Sequence, residues 1–152
     1  MQYKYSSDAS KPETVKALGR SLSISFKQSV EICNWIRGKE SEKAKKMLQE
    51  VIDHKRAVPY RRFTGDIGHK KEVGPGRYPR NACTEILEII KQAEASCQQK
   101  GFDTKNLVLS HIQAKKAPKQ WHYGRKRRRV MKRAHIEIVA TSQPKEAKKD
   151  SK

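Results

Sequence analysis

The sequence predicts an α+β domain: three helices packed on one face of a small antiparallel sheet, with a long β-hairpin protruding from it. Three observations carry this. Apolar residues recur at helical spacing in three stretches, each followed by a glycine or a proline. Apolar alternation appears once near the N-terminus and twice near the C-terminus, at Leu107-Val108-Leu109-Ser110-His111-Ile112 and Ala134-His135-Ile136-Glu137-Ile138-Val139. The segment between the two C-terminal runs has too few apolar residues to bury against anything of its own. The 152 residues suit one domain. It is expected to span 1–141, with the hairpin over 105–140 and a basic loop over 59–80. A disordered polar tail is expected over 142–152.

The first 13 residues, with Pro12 among them, are expected to be loose. Residues 15–25 carry Leu18, Leu22 and Ile24 with polar residues between, and predict a strand in which Arg20 falls on the apolar parity. A cation there either lies at an edge, its stem along apolar surface, or touches a ligand. Ser25 and Gln28 have capping-box spacing and predict a helix start. Phe26, Val30, Cys33 and Ile36 or Arg37 form its stripe, and Gly38 stops it. Ser41 is the expected cap of a second helix with Ala44, Met47, Leu48, Val51 and Ile52 as its apolar face; Pro59 bars continuation. The short connection predicts that these helices are antiparallel neighbours. Asn81 is the expected cap of a third helix, with Cys83, Ile86, Leu87, Ile90, Ala93 and Cys97 buried and Gly101 at its end. Its Glu85, Glu88 and Glu94 belong to an outer, solvated face, and Phe102 seals the core.

Formal net charge is +19, and residues 104–136 contain eleven Lys or Arg and no Asp or Glu. The remainder is also net basic. That balance favours a nucleic acid over a membrane surface or a small acidic substrate, with affinity falling steeply as salt rises. Only 35% of residues are hydrophobic, so the core is expected to be small. No apolar run approaches a membrane span, and the first ten residues lack an apolar signal core; a soluble cytoplasmic protein is expected. Cys33, Cys83 and Cys97 form no close pair, which argues against a disulfide framework or a zinc site and for buried thiols in a reducing compartment. His54, His69, His111, His122 and His135 show no metal spacing and no nearby carboxylate cluster. No catalytic residue, metal or cofactor is expected.

Two segments carry the candidate contacts. In the hairpin, Lys115, Lys116, Lys119, Arg125, Lys126, Arg127, Arg128, Arg129, Lys132 and Arg133 are placed to meet phosphates. Trp121, His122 and Tyr123 offer stacking faces. At strand rise, a limb from Ser110 to Gly124 reaches roughly 45 Å. Pro118 interrupts the pairing, Gly124 allows the positive φ of a tight turn, and the tip falls near 121–126. The alternative is a basic disordered loop or a localisation-type tract over 125–129. Residues 59–80 read as one long functional loop, rich in Gly, Pro, aromatics and cations. Arg61, Arg62, Lys70, Lys71, Arg77 and Arg80 can meet phosphates there, and Tyr60, Phe63 and Tyr78 can stack on bases. The alternative is a solvated loop with its rings tucked onto the helices.

Four pieces, in order, carry a resemblance. They are Arg20-Ser21-Leu22-Ser23-Ile24-Ser25-Phe26-Lys27, then Ile36-Arg37-Gly38-Lys39, then the insertion over 60–80. The fourth is Lys116-Ala117-Pro118-Lys119 with Gly124-Arg125 and His135-Ile136-Glu137-Ile138. Together they resemble the family of large-subunit ribosomal protein number 22, in its archaeal and eukaryotic form, over about 15–139. Trp121-His122-Tyr123 stands where that family usually has an Arg and a small residue, and the outgoing limb between Lys119 and Gly124 is shorter. The resemblance implies a structural protein of the cytoplasmic large ribosomal subunit, without catalysis, that supports assembly. It implies that Arg20, Lys27, Arg37, Lys39 and the hairpin cations over 115–133 face large-subunit ribosomal RNA, beside neighbouring ribosomal proteins. It also implies that Tyr123, Gly124 and Arg125 approach the exit tunnel and the nascent polypeptide. The rivals are a free-standing RNA-binding module or RNA chaperone, and a histidine-dependent nuclease.

Overall fold

The computed structural model describes residues 3–7, 14–104 and 106–142. Expectations for 8–13 and for the tail beyond 142 lie outside these. The elements in order are β1 (Thr14–Leu22), α1 (Phe26–Ile36), α2 (Ser41–Ile52), β2 (Val58–Pro59), β3 (His69–Lys70), β4 (Gly74–Arg77), α3 (Arg80–Gln99), β5 (Leu107–Lys116) and β6 (Ala134–Ser142), with one 3-10 turn at Gly124–Lys126. The chain is α+β, as its periodicities predict. An antiparallel sheet runs β1-β6-β5, and a second, small one runs β2-β4-β3.

One apolar core joins the main sheet to the helices. Ile112 and Ala114 of β5 and Ile136, Ile138 and Ala140 of β6 point into it, against Ile32, Ile36, Leu48, Ile86 and Ile90 of the helices. Strict alternation on β6 puts Glu137 on the opposite face. In β1 the buried parity is Val15, Ala17 and Gly19 rather than that of Leu18, whereas Leu22 packs partly against the core and Ile24, beyond the strand, is buried as expected. Two features conceal the parity. Gly19 has no side chain to signal burial: a Cβ there would run into Ile89 Cδ1 of α3 and stand 2.8 Å from Leu22 Cδ1. A bulge between Gly19 and Leu22, with Ser21 at φ 54°, then shifts the register. Arg20 is exposed as a result.

The helices begin and end within two residues of the expected signals, but the caps differ. Ser25 is the N-cap of α1 without a side-chain bond, and Glu40 and Pro79, not Ser41 and Asn81, precede α2 and α3. Nor do α1 and α2 pack as neighbours: α1 lies on β5, and α2 on α3. The connection explains this. Gly38 donates to the Leu109 carbonyl at 2.9 Å, Leu109 donates back to Lys39 at 2.9 Å, and Glu40 bridges Val108. The linker is thus an extra rung on β5, and it redirects the chain before α2 begins.

The 59–80 segment is not a structureless loop. It holds β2, β3 and β4, with Tyr60 only 4% exposed and Phe63, Ile67 and Tyr78 packed against the core. Gly76 keeps the pairing of β4 with β2 close, since an added Cβ would lie 3.2 Å from the Val58 carbonyl oxygen. The peg is Glu31 of α1, which is buried; its carboxylate accepts from the backbone amides of Arg61, Arg62 and Phe63 at 3.1, 2.9 and 2.7 Å.

Candidate nucleic-acid interface

The hairpin changes character along its length. Strands β5 and β6 pair up to Lys116 and Ala134, and Ala117 still donates to Arg133 at 3.4 Å. Pro118 has no amide to give, and regular pairing stops there. It resumes only in fragments: Met131 to Gln120 at 2.7 Å, a bridge between Trp121 and Val130, and His122 to Arg129 at 2.9 Å. The turn at Gly124–Lys126 uses positive φ at Gly124 (61°) and, unusually for a side-chain-bearing residue, at Arg128 (75°). Residues 118–121 and 123–130 are all exposed. The exposed large apolar residues among those described are Trp121 at 65%, Tyr123 at 88% and Val130 at 40%, all on this arm. No ion pair among the described residues includes any cation from Lys116 to Arg133.

The root of the arm is the opposite. Glu137, on the sheet face away from the helices, is fully buried. Lys115 Nζ lies 2.8 Å from it and His111 Nε2 3.1 Å; the Tyr3 hydroxyl and the Ser6 amide donate to it at 3.2 Å each. Burial alone would push this carboxyl up, but the bonds from Lys115, His111 and Ser6 outweigh it and hold the group at about 2. The same bond raises the Lys115 ammonium. Residues 3–7, expected to be loose, therefore lie across the outer face of the sheet, with Lys115 over the Tyr3 ring at 5.1 Å and Lys16 over Tyr5 at 5.6 Å. Lys115 has its charge on Glu137, and the arm's unpaired cations begin at Lys116.

Segments far apart in sequence meet at the first turn of α1. Lys116 lies over the Phe26 ring at 5.7 Å, Lys27 over Phe63 at 5.6 Å, and Arg62 over Phe63 at 5.7 Å. The Ser21 amide donates to His135 Nδ1 at 2.9 Å, which sets Arg20 beside the start of β6. Lys27, Arg62 and Lys116 thus border one surface at the base of the hairpin, with Arg20 exposed on the neighbouring strand. Elsewhere, Arg37 donates to the Ile112 carbonyl at 3.0 Å and fastens α1 to β5. Arg77 donates to the Asp66 carbonyl at 3.0 Å. Lys70 covers Tyr78 at 5.7 Å, with His54 on the same ring at 5.1 Å. Arg61, Lys71 and Arg80 are exposed. Lys39 lies apart, in a cleft beside Trp35. Tyr60 is in the core and not free to stack; burial pushes its hydroxyl up to about 12. Phe63 and Tyr78 each present a partly buried ring already covered by a cation.

Sequence reasoning missed Glu31 and Glu137. The signal available was an acid within an apolar run, Val30-Glu31-Ile32 and Ile136-Glu137-Ile138, in a chain otherwise crowded with cations. The three cysteines are buried free thiols, and burial pushes Cys33 and Cys83 to about 12, leaving them inert at neutral pH. Among the described residues no cluster of His, Cys, Asp or Glu is placed to hold a metal, and no helix is long and apolar enough to cross a membrane.

The comparisons converge on one family. The family model described as Ribosomal protein L22p/L17e matches residues 17–141. The large ribosomal subunit protein uL22 of Archaeoglobus fulgidus is 38% identical over 144 residues, covering 87% of this chain and 93% of that protein. The protein of the same name from Zea mays is 34% identical, covering 97% and 94%. That from Candida albicans is 37% identical, covering 90% and 74%. With the matched span running from β1 to the end of β6, this chain belongs to the ribosomal protein L22p/L17e family.

Proposed function

We propose that the chain is a structural constituent of the cytoplasmic large ribosomal subunit, that it binds the subunit's RNA and supports its assembly, and that it carries its basic hairpin towards the wall of the nascent-polypeptide exit tunnel. It performs no catalysis. Arg20, Lys27, Arg62 and Lys116 lay the base of the hairpin on RNA. Lys119, Arg125, Lys126, Arg127, Arg128, Arg129, Lys132 and Arg133 meet phosphates along the arm, and Trp121 and His122 stack on bases. Tyr123, Gly124 and Arg125 approach the tunnel lumen and the nascent chain, and neighbouring ribosomal proteins complete the surroundings. Membership of the family supports the assignment to the subunit. One observation supports the role of the arm: among the described residues the cations from Lys116 to Arg133 have no ion-pair partner, and the same segment exposes Trp121 and Tyr123. Cations in that arrangement repel one another unless phosphates lie between them.

The test is incorporation. Arg125→Glu combined with Arg127→Glu is expected to lower uptake into large subunits many-fold, while Lys145→Glu leaves it near normal. Equal uptake of the two variants contradicts the arm assignment. Recovery of the unaltered chain with free small RNAs, and not with subunits, would favour a free-standing RNA-binding module.

A further inference from the structure

A second site lies away from the hairpin, in a cleft of about 350 Å³ between the end of α1 and the outer face of α2. Trp35, half-buried in the last turn of α1, and Met47, buried in α2, supply its apolar lining. Three ammonium groups line it. Lys39 is held by the rung that its carbonyl makes with Leu109, and Lys43 and Lys46 stand exposed on one side of α2. Arg56 completes it. The chain after α2 folds back through bonds from the Lys55 and Arg56 amides to the Glu50 carbonyl at 2.8 and 3.2 Å. The Arg56 guanidinium then lies over the Trp35 ring at 5.3 Å, with Nη1 3.4 Å from the Glu50 carboxylate. Among the described residues Glu50 is the one acid lining the cleft, and it faces Arg56.

We infer that this cleft takes one unpaired nucleotide of RNA, its base stacked against the Trp35–Arg56 pair and its flanking phosphates held by Lys39, Lys43 and Lys46. The chemistry favours this occupant. The Arg56 guanidinium, itself laid over the Trp35 indole, offers a flat ring a planar cationic face to lie against. A chain of phosphates leaving the cleft on either side meets three flexible ammonium groups. An acidic peptide meets the cations but has no regular supply of flat rings. The inference rests on the RNA-binding reading above and adds a contact to it that is independent of the hairpin.

The full chain, assembled into large subunits and irradiated with ultraviolet light, tests it by mapping which peptides carry a cross-linked nucleotide. The peptide over 28–37, which contains Trp35, is expected to cross-link to a single RNA position, alongside peptides from the hairpin. Lys43→Glu with Lys46→Glu, both at exposed positions, is expected to lower that cross-link by about tenfold, since two phosphate-binding cations become anions. It leaves the hairpin cross-links intact, and Trp35→Phe keeps the signal. Hairpin cross-links without one at 28–37 would overturn the cleft and spare the proposed function. A cross-link from 28–37 to another protein, in place of a nucleotide, overturns the cleft as an RNA site. Loss of both sets would remove the RNA-binding reading itself.

Discussion

Two basic segments, 59–80 and 117–133, are marked by the same residue types: Gly, Pro, aromatics and clustered Lys and Arg. They end differently. The first folds back as a small sheet, with Tyr60 in the core and three successive amides on the buried Glu31 carboxylate. Among the described residues no acid pairs with the cations of the second, and its Trp121 and Tyr123 rings are exposed, Tyr123 at 88%. A cationic, glycine-rich segment stays with its own domain when that domain supplies a buried acceptor and a pocket for a ring. Without these, its counter-charges come from another molecule. The base of the hairpin repeats the rule, since Glu137 organises Lys115, His111 and the N-terminal residues as Glu31 organises 61–63.

The comparison is sharpened most by matched tyrosines. Tyr60→Ala is expected to cost about 3–5 kcal/mol, as for other large buried aromatics, and Tyr60→Phe little, because the hydroxyl has no hydrogen-bond partner among the described residues. Tyr123→Ala should stay within about 0.5 kcal/mol in the same denaturation experiment. A large loss at Tyr123 would mean that the arm packs on its own domain. Next in size is Glu31→Ala, expected to cost about 3 kcal/mol by leaving charged-acceptor hydrogen bonds unmade. It should speed amide exchange at Arg61, Arg62 and Phe63, so that 59–80 behaves as the arm does. Unchanged exchange there would separate the fold of this segment from its peg.

The comparison also carries a pH dependence at the hairpin root. Glu137 is held at about 2 in the fold, below its ordinary 4.5. Its contribution is therefore complete above about pH 4.5 and lost as pH falls towards 2. Glu137→Gln should flatten that part of the acid-unfolding profile. A profile identical to that of the unaltered chain would deny Glu137 its role.

Much of this was legible in the chain. The stripe of α3 is the expected one from Cys83 to Cys97, because a long amphipathic helix repeats its signal many times. Both limbs of the hairpin announce themselves by alternation. The 59–80 sheet does not, since β4 consists of Gly-Pro-Gly-Arg, residues that say turn, and its cause sits thirty residues earlier at Glu31. The parity of β1 is hidden by Gly19 and a bulge, and the separation of α1 from α2 by a rung made through backbone atoms alone. Of the candidate contacts, the arm was legible as a run of like charge. The meeting of Lys116, Phe26, Lys27, Phe63 and Arg62 is tertiary, and no spacing along the chain encodes it.

Limited proteolysis of the free chain and of purified large subunits, with cut sites mapped, tests the central contrast most directly. In the free chain, cleavage should fall at the Lys and Arg residues between 119 and 133 while 59–80 resists; in the subunit both should resist. Equal cleavage of the arm in the two states, or an arm already protected in the free chain, would contradict the account.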